Sequence, residues 1–129
     1  MELAEEDAQA YGLGNEPTKL PEGDARRAAE MPAAVQASIQ IPMATIAACT
    51  DLLLLCNALA PMTNRMLHSD LAIAAILAEA AARASLWNVR VNASLLHEPG
   101  ARAGLLDQAA AGIAEAARMR ECVEMACTS

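Results

Sequence analysis

Five stretches of the chain read as helical in spacing or composition, and none alternates as a strand would. Met1 to Tyr11 reads as a helix end. Leu3, Asp7 and Ala10 fall on one side, and Glu2, Glu5 and Glu6 fall mainly on others. Gly12, Gly14, Asn15 and Pro17 break that pattern, and Leu20-Pro21 marks a second turn. Glu22 to Gln40 is helical in composition. Pro32 is expected to end or kink it near Met31, because proline lacks an amide proton and crowds the preceding turn. Pro42 then reads as a first-turn proline opening a new helix to about Leu59, with Ile46, Cys49, Leu52, Leu53, Cys56 and Leu59 on its apolar side. Pro61, Thr63 and Asn64 close it.

The best-signalled helix opens at Ser69, expected as its N-cap, with Asp70 placed to suit the helix dipole. It is expected to run to Asn92 or Leu95 and to bury Leu71, Ala74, Leu77, Ala78, Ala81 and Ser85. Glu79 and Arg83 form an i,i+4 pair on a more polar side. After the connector His97-Glu98-Pro99-Gly100, a last helix runs from Ala101 to about Ala126. Its buried stripe is Leu106, Ala109, Ile113, Ala116 and Val123. The fold class is therefore all-α, a bundle of long antiparallel helices in a single domain over residues 1–129.

Composition sharpens this picture. The chain is 55% hydrophobic with one Trp, one Tyr and no Phe, so the core must be Ala, Leu, Ile and Met, which favours close helix approach. A net charge of −7, with no basic run, argues against nucleic acid as a partner. The N-terminus is acidic, unlike a signal peptide. The apolar run Ile46 to Ala60 carries Asp51 and Asn57 and is shorter than the ~20 residues of a membrane span, so a buried helix is expected rather than a membrane segment. Cys49, Cys56, Cys122 and Cys127 form no CxxC and no zinc spacing with His68 or His97. Cys49 and Cys56 are about 10 Å apart along one helix, too far to pair. They are read as reduced thiols of a cytoplasmic protein.

No self-sufficient catalytic motif is present. Asp7, among Glu5 and Glu6, is either a general base with a raised pKa or a solvated helix end. Asp70 either faces a site or serves the dipole. Asn88 and Asn92 share a helix face with Ser85, and such amides either bind a heterocycle or tie helix to helix. Arg90 offers an anion contact or a surface ion pair. His68 and His97, in connectors, are read as solvated.

In order, Glu6-Asp7-Ala8-Gln9-Ala10-Tyr11, Lys19-Leu20-Pro21, Ile41-Pro42-Met43, Ser69-Asp70 followed by Ala75-Ile76-Leu77-Ala78-Glu79-Ala80, and Asn88-Val89-Arg90-Val91-Asn92 resemble the motifs of the formiminotransferase-cyclodeaminase family, which includes methenyl-tetrahydrofolate cyclohydrolases. The family's N-terminal Gly-rich turn has no counterpart, so the resemblance is to an N-terminally truncated, cyclodeaminase-like bundle. It implies a tetrahydrofolate derivative as substrate, cyclohydrolase or cyclodeaminase chemistry without metal or redox cofactor, Asp7 as catalytic base, and Asp70, Asn88, Arg90 and Asn92 in substrate binding. It also implies a homodimer, as does the missing segment, whose absence is expected to uncover Ile46, Leu53 and Cys56. The alternative is a non-catalytic helical remnant serving as an assembly or interaction module.

Overall fold

The computed structural model describes Glu5 and residues 16–128. Three long helices account for most of them: α1 over Ala25–Leu59, α2 over His68–Ala93 and α3 over Pro99–Thr128. No strand occurs among the described residues. Each helix packs against the other two. Ile46 clusters with Val89 and Ala109, while Leu53 and Cys56 cluster with Ala75, Ala78, Ala82, Ala116, Met119 and Val123. Chain order along these contacts makes α1 and α3 parallel, with α2 antiparallel to both. Among the described residues, five of the eight core hydrophobics at 0% exposure are alanines: Ala75, Ala82, Ala93, Ala109 and Ala116. Small residues at the seams let the backbones approach. At Gly112 of α3 the approach is so close that a Cβ there would meet Ile46 Cγ2 at 2.9 Å.

The helix expected from Ser69 spans the whole of Leu71 to Val89, and the stripe expected for the last helix is inward-facing or half-buried. Four expectations need correction. First, neither proline interrupts a helix: α1 runs unbroken through Pro32 and Pro42 for 35 residues. Its N-cap is Asp24, whose carboxylate accepts from the Arg26 and Arg27 amides. Second, Ser69 is not a cap. A 3-10 turn at Arg65–Leu67 leads straight into α2, and the Asn64 side chain caps that turn by accepting from the Met66 amide at 3.1 Å. Third, the buried stripe of α2 is rotated. Ala75, Ala78, Ala82, Ser85, Val89 and Ala93 face inward, while Leu77 is 64% exposed and Ala81 is exposed. Fourth, Ile46, Leu53 and Cys56 are buried, so they are not an uncovered face. Exposed aliphatics instead include Leu52, Leu54 and Leu55 of α1 and Ile73, Ile76, Leu77 and Val91 of α2.

The length argument against a membrane span also changes, because α1 extends well beyond Ile46 to Ala60. Ala25–Leu59 and Arg65–Ala93 are both long and apolar enough to cross a bilayer by length and composition alone. Both are also the core helices of this bundle, each carrying a buried stripe against α3. All four cysteines are free thiols. His68 is not a solvated connector residue. It starts α2, its Nδ1 lies 3.3 Å from the Cys127 carbonyl near the end of α3, and its Nε2 is buried without a partner.

Candidate functional site

Asp7 lies outside the described residues. The other four expected site residues all sit on α2, and the helix spaces them unequally. Asp70 is exposed in the first turn. Asn88, Arg90 and Asn92 occupy the last two turns. Asp70 and Asn88 are 18 residues apart, which is five whole turns, so they share a face but stand about 27 Å apart along the axis. Within one chain they cannot hold the same small group.

Asn88 and Asn92 are one turn apart, and their environments differ. Asn88 is exposed. Asn92 is half-buried and donates from Nδ2 to the Ser38 carbonyl of α1 at 2.6 Å. Of the two readings open for this amide, tying helix to helix is the one the contact satisfies. Arg90 makes neither an anion contact nor a salt bridge among the described residues. Its guanidinium lies 4.9 Å from the Trp87 ring centroid, a cation–π geometry on the outer surface of α2. The Glu79–Arg83 pair forms at 3.7 Å, with Glu79 only 13% exposed.

The end of the bundle that holds Asn88 and Asn92 also holds the start of α1 and the connector between α2 and α3. Lys19-Leu20-Pro21 forms the expected turn there, with the Leu20 amide donating to the Pro17 carbonyl at 3.2 Å. Arg27 fastens that turn to α1 by donating from Nη1 to the Leu20 carbonyl at 2.7 Å. A cleft of about 450 Å³ opens beside it, lined by Glu22, Asp24, Arg27, Met31 and His97. Asp24 and Arg27 are committed to the cap and the turn, which leaves Glu22 and His97 as the cleft's exposed acid–base groups. Sequence reasoning gave His97 no role, because only the folded connector sets it against the start of α1. A second groove, between α1 and α3, contains none of the expected residues. It is lined by Met43, Thr50, Asp51, Gln108, Gly112 and Glu115. Its Glu115 carboxyl is held below the usual carboxylate range by hydrogen bonds from Arg118 at 2.6 and 3.0 Å.

The family model described as formiminotransferase-cyclodeaminase matches residues 1–111. The chain belongs to the formiminotransferase-cyclodeaminase family. No curated protein matches it. The match takes in every segment on which the resemblance was drawn, from Asp7 through Asn92. For a member of the formiminotransferase-cyclodeaminase family, the informative geometry is the separation on α2. Asn88 and Arg90 remain available at one end, Asp70 stands five turns away, and Asn92 is engaged with α1.

Proposed function

We propose that this protein acts on a one-carbon unit carried by tetrahydrofolate, as a methenyl-tetrahydrofolate cyclohydrolase or a formimino-tetrahydrofolate cyclodeaminase. The family match over residues 1–111 carries this reading. In the first reaction, water adds to the methenyl carbon, one carbon–nitrogen bond opens and a formyl group is left. In the second, a folate nitrogen closes on the formimino carbon and ammonia leaves. Each needs a base for the attacking O–H or N–H and an acid for the departing nitrogen. Asp7 is assigned the base. Asn88 presents an exposed amide for the pterin or the one-carbon group, with Arg90 one position beyond Val89 on the same surface end of α2. Asp70 is withdrawn from the one-carbon centre by its 27 Å separation from Asn88, an estimate from helical rise. No metal or redox group is required, and the setting is taken as cytoplasmic.

Self-association belongs to the same proposal, most simply as a homodimer. Its face is not the one expected from the sequence. Asn92 marks the side of α2 turned to α1, and Leu77 and Ala81 lie near that side, exposed. Leu52 and Leu55 of α1 are 45% and 53% exposed. Exposed aliphatic area of this kind drives association. The same surface, with Asp70 far from Asn88, favours the second reading, an assembly module without turnover.

Turnover of methenyl- and formimino-tetrahydrofolate by the parent chain and by Asp7→Asn separates the readings. Removing a general base costs about 100- to 10,000-fold in rate. An active parent whose Asp7→Asn variant keeps full turnover removes Asp7 from the mechanism. A folded parent with no turnover on either substrate leaves the assembly reading.

A further inference from the structure

We propose that Asn92 is a positioning residue that substitutes for the backbone donor Pro42 lacks, and that it is thereby committed to holding α1 on α2 rather than to contacting a ligand. A proline inside a helix removes the N–H that would serve the carbonyl four residues earlier. In α1 those carbonyls belong to Ala28, opposite Pro32, and to Ser38, opposite Pro42. The two sites differ in their access to water. Pro32 and Ala28 are both exposed, so solvent serves the Ala28 carbonyl. Pro42 is buried and Ser38 half-buried, so a Ser38 carbonyl left unmet there is only partly served by solvent.

The donor arrives from 54 residues away. Asn92 Nδ2 reaches the Ser38 carbonyl at 2.6 Å, in the last turn of α2. Its chemistry fits the task. The amide supplies a neutral N–H of the same kind as the missing backbone group, whereas a carboxylate of the same shape is acceptor-only. One contact therefore accounts for two observations: α1 continues through a buried proline, and an Ala-rich helix carries an amide on its partner-facing side. It also fixes the axial register of α1 on α2 one turn from Asn88. The part assigning ligand contact to Asn88 rests on the folate reading. The role of Asn92 does not, and its test uses no folate.

The test is a double-mutant cycle between Asn92→Ala and Pro42→Ala, with Asn92→Asp as a shape control, read as the folding equilibrium constant from urea unfolding. In the parent background, Asn92→Ala and Asn92→Asp are each expected to lower that constant by roughly 5- to 100-fold, the cost of a part-buried carbonyl without its donor. With Ala at position 42, the restored amide takes the Ser38 carbonyl, and the same substitutions are expected to cost less than about threefold. Equal losses in both backgrounds, or an Asn92→Asp chain as stable as the parent, overturn the proposal. Should the Pro42 variant fail to fold, side-chain amide exchange in the parent decides. One Asn92 Nδ2 proton protected well beyond those of Asn88 supports the role, and equal exchange refutes it.

Discussion

Gly112→Ala sets two effects of opposite sign against each other. Gly112 lies within α3, and alanine is the better helix former there by about 0.8–1 kcal/mol. The added Cβ would stand 2.9 Å from Ile46 Cγ2, whereas carbon atoms prefer about 3.5–4.0 Å. A separation of roughly 0.6–1.1 Å must be recovered. Ile46 cannot swing aside, because a β-branched residue in a helix has essentially one χ1 rotamer and this one is 3% exposed. The helices must part instead, and overpacking of this kind costs about 1–3 kcal/mol. The net expectation is a loss of up to about 2 kcal/mol, read as a lower urea midpoint at unchanged slope. Removing the obstructing methyl reverses the sign: on an Ile46→Ala background, Gly112→Ala should stabilise by about 1 kcal/mol. Gly112→Ala raising stability by the same amount in both backgrounds would show that the α1–α3 approach is not tight and would refute the reasoning.

Further expectations concern the core, the thiols and the outer face. Leu53→Ala, at 0% exposure among Cys56, Ala75 and Ala116, should cost about 2–5 kcal/mol in urea unfolding, since alanine neighbours cannot collapse into the cavity. Burial pushes the Cys49 and Cys56 thiols up, and Cys127 adds to the effect on Cys56. The protonated thiols therefore favour the native state. Stability is intact below the ordinary thiol range near 8.5 and should fall as pH rises from there toward the raised native values, checked by unfolding between pH 7 and 10. Leu52→Glu with Leu55→Lys should abolish self-association in light scattering without lowering helicity. A monodisperse monomer from the unmodified chain at tens of micromolar would defeat the dimer proposal.

The helices were legible in the sequence because runs such as Leu71 to Val89 are long, apolar at helical spacing and free of breakers. The phase of α2 was not. When most positions are alanine, hydrophobicity barely distinguishes one face from another, so Leu77 attracted the inward assignment on size. The fold obeys a different rule. Helices that approach closely select their smallest residues for the seam, which places Ala75, Ala78 and Ala82 inside and leaves Leu77 in solvent. Pro32 and Pro42 were misread because local rules treat a proline as a stop, while packing along the whole of α1 overrides them. The file of Asn88 and Asn92 stood out as unusual on an apolar helix. The division of labour between them depends on Ser38, a partner 54 residues away that no local pattern reveals.

The scarcity of aromatic rings has an optical consequence. Trp87 is the only tryptophan, the chain has no phenylalanine, and its single tyrosine is Tyr11. Trp87 is 65% exposed on the outside of α2, beneath the Arg90 guanidinium and next in sequence to Asn88. The aliphatic core thus contains no chromophore among the described residues. Intrinsic fluorescence is nearly blind to the loosening of that core, because an indole already in water changes little when the bundle melts. It is well placed to register events at the surface: a folate ring arriving beside Asn88, or a second chain covering α2, would alter the indole's solvation and shift its emission while the helices themselves stayed as they are.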